Sequence, residues 1–265
     1  MNQENLFVQH KDRAIIKITG ADKISFLQGL ITNDLTKLEK SEILFSCFLT
    51  GNGRFLYDFF VFEIGDDLYI DIIKSDCEDF AKKLKIYKLR SDVQFEILYD
   101  CKIYQLFTEN VNFDLGSVVF KDPRSSKLGY RLYCLKNESF DSAGLNRVDN
   151  NYYHQIRIAY KIVESNELIK EKSIILEFGY KEQNAVAFDK GCYLGQELIT
   201  RTERLGEIRK KLFNFELKQE LSDQIHQNLN DNKVKIISKT KFNDKFSYLL
   251  LTKITEDELK QIISG

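Results

Sequence analysis

The chain has 265 residues, 43% of them hydrophobic and 30% charged, with a formal net charge of −1. That length suits two or three domains with cores of their own, and the near-neutral balance gives no whole-molecule attraction to nucleic acid or to an anionic membrane. No apolar run reaches the roughly 18 residues of a membrane span, and the opening MNQENLFVQHKD lacks the basic and apolar regions of a signal peptide. The chain therefore reads as a monomer of a reducing bacterial cytoplasm, with neither membrane nor nucleic acid as a direct partner.

IIKITG (15–20) reads as a strand ending at Gly20. In ADKISFLQGLIT, the residues Ile24, Leu27, Leu30 and Ile31 fall at helical spacing, with Asp22 placed to cap. Two aromatic-rich runs then flank Gly51-Asn52-Gly53, and Gly65-Asp66-Asp67 precedes a third, which predicts a β-meander. GNG is not a phosphate loop, because no GK[ST] follows it. CEDFAKKLKIYKL (77–89) is helical, with Phe80, Leu84 and Tyr87 on one face. DVQFEILYD and KIYQLF return to strands, an order that suggests α+β rather than a parallel βαβ sheet. Asp122-Pro123-Arg124 is a turn leading into the strand of GYRLYCL, and YHQIRIAYKIVES is helical. From about residue 207 short strands and polar turns predict a small separate β-rich domain, a β-barrel over 207–265.

Two positions stand out chemically. Asp58 lies in RFLYDFFVF. Strict alternation puts Phe55, Tyr57, Phe59 and Val61 on one face and Leu56, Asp58, Phe60 and Phe62 on the other. A carboxylate among such side chains needs a partner. It is either solvated or paired with an Arg, or it receives N–H donors from a ligand. The second is Cys192, in KGCYLGQE. Of five cysteines, Cys47, Cys77, Cys101 and Cys134 lie in strand-like or helical text and read as packing residues. No CxxC pair or nearby histidine suggests zinc or a locally encoded iron–sulfur cluster. Cys192 sits between Gly191 and Gly195, beside Lys190 and before a helix that opens near Gln196. Both neighbours favour thiolate, so a lowered thiol pKa is expected there. Arg201, Arg204, Arg209, Lys210 and Lys211 cluster after it, offset by Glu203 and Glu207.

FDKGCYLGQELITR resembles the signature of the YgfZ-type folate-binding proteins, K-G-C-Y-x-G-Q-E with a basic residue four positions later. ITGADKISFLQGLITNDL, GNGRFLYDFFVF, DPRSSKLGYRL and ILEFGY are similar to that family's segments in order, so the likeness runs over most of residues 15–211. The resemblance implies a relative of the glycine-cleavage aminomethyltransferase (T-protein). The fold it implies is a three-domain ring of antiparallel sheets with flanking helices. Residues 1–206 would form two intertwined α+β domains that meet near residue 100. It implies a tetrahydrofolate-binding accessory protein for iron–sulfur assembly or repair, including that of enzymes that methylthiolate tRNA. Its partners would be folate and iron–sulfur client or assembly proteins. Cys192, with Lys190 beside it, becomes the functional pair. Asp58, Phe45 and Glu177 become candidate pterin contacts, and Arg201 and Arg204 candidates for a polyglutamate tail. T-proteins carry two adjacent acids in this strand, the first catalytic; here Tyr57 stands first and Asp58 remains. A folate-dependent one-carbon transferase is accordingly the alternative reading.

Overall fold

The computed structural model describes residues 5–108, 118–135, 142, 144–206 and 208–264. Glu207 lies outside them. The chain begins β1 (Leu6–His10), β2 (Arg13–Thr19), α1 (Lys23–Gln28), α2 (Leu38–Ser41), β3 (Ile43–Leu49), β4 (Phe55–Ile64) and β5 (Asp67–Ile73). It continues α3 (Cys77–Lys88), β6 (Gln94–Leu98), β7 (Lys102–Phe107), β8 (Val118–Lys121), β9 (Tyr130–Cys134), β10 (Asn146–Arg147) and α4 (Asn150–Ala159). It ends α5 (Gln196–Arg204), β11 (Lys211–Leu217), α6 (Asp223–Asp231), β12 (Lys235–Phe242), β13 (Lys245–Thr252) and α7 (Glu256–Ser264).

Three sheets form. The first has the order β3-β4-β5-β2-β6, all antiparallel, with the meander β3-β4-β5 joined by the expected turns. The second runs β10-β1-β7-β9-β8. Strand β1 thus pairs with β7 about a hundred residues away in sequence, while its neighbour β2 joins the first sheet. The third has only β11-β13-β12. The expected C-terminal β-barrel does not form among the described residues: three strands cannot close on themselves. Helices α6 and α7 bring Leu229 and Leu259 to the same apolar cluster as Tyr248 and Leu250 of the sheet.

The first sheet is buried on both faces, which explains why β3 and β4 read as near-continuous apolar runs. One face packs on α3, joining Tyr57, Phe59 and Val61 to Phe80 and Leu84; Tyr87, expected on that face, stays half-exposed against Phe48. The other face carries Phe45, Phe60 and Phe62 into a core shared with Phe120 and Tyr133 of the second sheet and Leu249 and Leu251 of the third.

Strict alternation fails at the start of β4. Phe48 pairs with Tyr57 and Leu49 with Phe55, so Leu56 is an extra residue, a β-bulge. Phe55 therefore joins Phe60 and Phe62, while Leu56 joins Tyr57 and Phe59, the reverse of the expected assignment. Asp22 also departs from expectation. It makes no side-chain cap to α1 and instead accepts from the Asp92 amide at 2.8 Å, tying α1 to the segment before β6.

Candidate functional site

The KGCYLGQE loop packs against the turn of the β3–β4 hairpin and the end of α1. Lys190 is buried, and its ammonium donates to the carbonyls of Gln28 (2.8 Å), Ile31 (2.9 Å) and Asn33 (2.7 Å). These carbonyls lie at and just past the end of α1, where helical carbonyls lack intrahelical partners. Burial pulls the ammonium down to about 8, opposed by Asp34. Tyr193 lies buried beneath it, 5.1 Å from the nitrogen. The Leu194 amide donates to Gly29 (3.0 Å), and just upstream the Ala187 amide donates to Thr32 (3.0 Å). The loop is therefore held at its margins. Lys190, expected to act on the thiol through its charge, spends its three donors on main-chain carbonyls and is a positioning residue.

Cys192 is exposed, the only one of the five cysteines that is. Nothing crowds Gly191 beside it. Cys47, Cys77 and Cys134 are buried; Cys101 is half-buried and donates to the Leu135 carbonyl at 3.5 Å. Burial pushes the Cys77 and Cys101 thiols up to about 11 and the Cys47 thiol well above its usual value. Among the described residues, no three His, Cys, Asp or Glu side chains converge as a metal site.

Asp58 lies on the face of β4 that looks away from α3, and it is buried. Its carboxylate accepts from the Ser165 hydroxyl and from the Tyr180 hydroxyl at 2.5 Å. Burial pushes this carboxyl up, against the pull of those hydrogen bonds and of Arg13. Tyr180 stacks on Phe45 (5.6 Å between centroids, 28°), and Arg124 lies over Phe45 at 5.6 Å and Phe60 at 4.8 Å. Phe45 is thus covered on the site side by Tyr180 and Arg124. Tyr57, at the neighbouring position, points to the opposite face and donates to Asp79.

Arg124 also lines a cavity of about 520 Å³, together with Lys161, Glu177, Gln183, Lys210 and Lys211. Glu177 is paired with Lys210 at 3.1 Å. Gln183 is 2% exposed. Its Nε2 donates to the Phe178 carbonyl at 3.2 Å, and its Oε1 has no partner. Arg201 and Arg204 line a different, shallower groove on α5. Asp58, Phe45 and Glu177 therefore group around Tyr180 and Arg124, whereas the two arginines of α5 do not join them. Sequence reasoning took Arg124 only as part of a turn. It gave no role to Tyr180, the last residue of ILEFGY, and missed Gln183, which lies three positions beyond that segment.

Behind the cavity lies a buried ionic network. Asp71 accepts from Arg13 (2.6 Å) and Arg131 (2.5 Å). Asp122 accepts from Arg124 (2.7 Å), and Arg157 bridges Glu164 (3.5 Å) and Glu167 (2.7 Å). Burial pushes the carboxyls of Asp71, Asp122 and Glu164 up, but the arginines outweigh it and hold all three below the usual carboxylate range. Arg157 also donates to Ser238 of β12 at 2.8 Å, so the network reaches the third sheet.

This three-sheet arrangement is the T-protein fold. The structure matches glycine cleavage system aminomethyltransferase T from Bartonella henselae with a TM-score of 0.70 over 95% of this chain and 79% of that one, at 9% identity. No protein-family model matches the sequence. The sequence is similar to curated IBA57 iron–sulfur cluster assembly factors. The mitochondrial IBA57 homologue of Pyricularia oryzae is 28% identical, over 78% of this chain and 56% of the relative. That of Dictyostelium discoideum is 29% identical, over 77% and 60%. Mitochondrial IBA57 of Homo sapiens is 26% identical, over 76% and 63%. The chain spans less than two thirds of the length of each. All three relatives carry mitochondrial names, and this overturns the reading of the chain as a bacterial cytoplasmic protein.

Proposed function

We propose that the protein is a tetrahydrofolate-binding accessory factor for iron–sulfur cluster assembly or repair, acting through Cys192. The observation that carries this is the exposure of Cys192 on a loop whose neighbours are pinned on both sides. A thiol held out in this way can meet a client without rearrangement of the fold. It offers a single sulfur ligand, and no three His, Cys, Asp or Glu side chains converge among the described residues, so a cluster bound there would take its other ligands from the client. The clients would include enzymes that methylthiolate tRNA.

The cavity beside Arg124 suits a folate. Its volume falls within the roughly 300–1,000 Å³ of small-molecule sites. Tetrahydrofolate would bring a pterin with a paired N–H edge and an anionic glutamate tail. Glu177 would accept from the former, and Lys161, Lys210 and Lys211 would meet the latter. Arg201 and Arg204, on their separate groove, could meet only the distal end of a polyglutamate tail. Asp58 would support the site through Tyr180 and not touch the pterin. The transferase reading loses ground on the same geometry, since Tyr57 faces the other core and both Asp58 oxygens are engaged.

Two measurements test the proposal. In cells lacking the gene, a copy carrying Cys192→Ser should fail to restore iron–sulfur enzyme activity and tRNA methylthiolation; full restoration would overturn the role of the thiol. Calorimetry should show tetrahydrofolate binding that weakens about tenfold in Glu177→Gln, as expected for loss of a charged hydrogen bond. Absence of binding to the unmodified protein would remove folate from the function.

A further inference from the structure

Residues 82–90 read KKLKIYKLR and form the C-terminal half of α3 and its exit. Lys82, Lys83, Lys85, Lys88 and Arg90 fall within nine positions that hold no acid. None of the five has an ion-pair partner among the described residues. A chain of net charge −1 thus concentrates unneutralised positive charge on one helix end.

Two large apolar side chains stand among these cations. The inner face of α3 is filled by Cys77, Phe80, Ala81 and Leu84. Ile86 falls on the opposite face and is 72% exposed, one turn from Lys82. Leu89 ends the helix and is 88% exposed. Its backbone has φ 47° and ψ −110°, a conformation that favours glycine. Holding a leucine there costs on the order of 1–3 kcal/mol. No packing offsets that cost, because the side chain lies in water. The nearest acid of the adjoining depression, Asp22, is engaged by the Asp92 amide.

We propose that this end of α3 docks on a bilayer surface containing anionic lipid. The cations would lie at the headgroups while Ile86 and Leu89 enter the interface. Composition favours lipid over a protein partner. Protein interfaces are depleted in Lys and enriched in Arg, whereas four of these five cations are Lys. The near-neutral whole chain adds no competing attraction, so this face sets the orientation. The surface is independent of Cys192 and of the cavity beside Arg124.

The test is co-sedimentation of the full chain with vesicles of phosphatidylcholine alone, or mixed with phosphatidylglycerol. Partition onto the mixed vesicles only, weakening as salt is raised, is expected. Each lysine removed should cost about fivefold, so Lys82→Gln with Lys85→Gln should cost about 25-fold. Leu89→Gly should also lower partition while leaving the melting temperature unchanged or raised, because it relieves the backbone. A purely structural leucine would not show that combination. No partition at low salt, or undiminished partition of Leu89→Gly, would overturn the proposal. Binding of soluble polyglutamate by a chain that ignores both vesicles would make this a protein-docking face and overturn it equally.

Discussion

Gly53 of the β3–β4 hairpin and Gly195 of the cysteine loop meet backbone to backbone. A Cβ added to Gly195 would sit 2.9 Å from Gly53 Cα and 2.5 Å from the Thr50 carbonyl, and one added to Gly53 would sit 2.7 Å from the Gly195 carbonyl. Both have positive φ, +79° and +80°. The GNG turn therefore does more than reverse the chain: it seats the loop that carries Cys192. Gly195→Ala combines strain with a backbone clash and should cost about 2–4 kcal/mol. Thermal denaturation would register this, and a loss of less than about 1 kcal/mol would mean that the two loops part freely.

Lys190→Met should destabilise the protein by about 2 kcal/mol, since three carbonyls lose a charged donor. Lys190→Arg should not restore it. A planar guanidinium cannot point three N–H groups at converging carbonyls as an ammonium does. Hydrogen exchange over residues 189–195 should accelerate in both variants. Unchanged exchange there would show that Lys190 does not hold the loop.

Asp58→Asn is expected to lower stability by roughly 1–2 kcal/mol, because the carboxylate accepts from both Ser165 and Tyr180 and an amide nitrogen cannot; relief of the buried charge offsets only part of that loss. The sequence alone left Asp58 solvated, paired with an arginine, or receiving donors from a ligand. Melting curves of Asp58→Asn and Tyr180→Phe, both shifted downward, would support the structural role. An unshifted Asp58→Asn that nevertheless loses tetrahydrofolate would restore the ligand contact.

His10 should make stability depend on pH. Burial, then Arg131, pulls its imidazole down to about 3. Below pH ~6.5 the unfolded chain takes up a proton that the folded chain refuses, so stability falls with pH by up to about 1.4 kcal/mol per unit. His154, lowered by burial and Arg157, adds in the same direction. Asp71, Asp122 and Glu164 act lower down: their contribution is present above the ordinary carboxylate pKa of about 4 and is lost below it. Denaturant melts between pH 7 and 5 should show a shallower slope for His10→Gln than for the parent. Equal slopes would place His10 outside the titration.

The residues themselves determined the local elements and the odd thiol out. Helical spacing, the GNG turn and the apolar runs of β3 and β4 depend on neighbours within a few positions, so α3, α5 and the meander were legible. Cys192 stood apart because glycines and a lysine surround it. The faces of Phe55 and Leu56 were not legible, because the bulge exists only through the pairing of β4 with β3. Neither was the fate of Lys190, whose acceptors lie more than 150 residues away in sequence. The Gln183 oxygen and the Arg124 guanidinium gained their meaning in the same way. Whether a buried polar atom is paired depends on what three sheets bring to one place, and residues distant along the chain supply it.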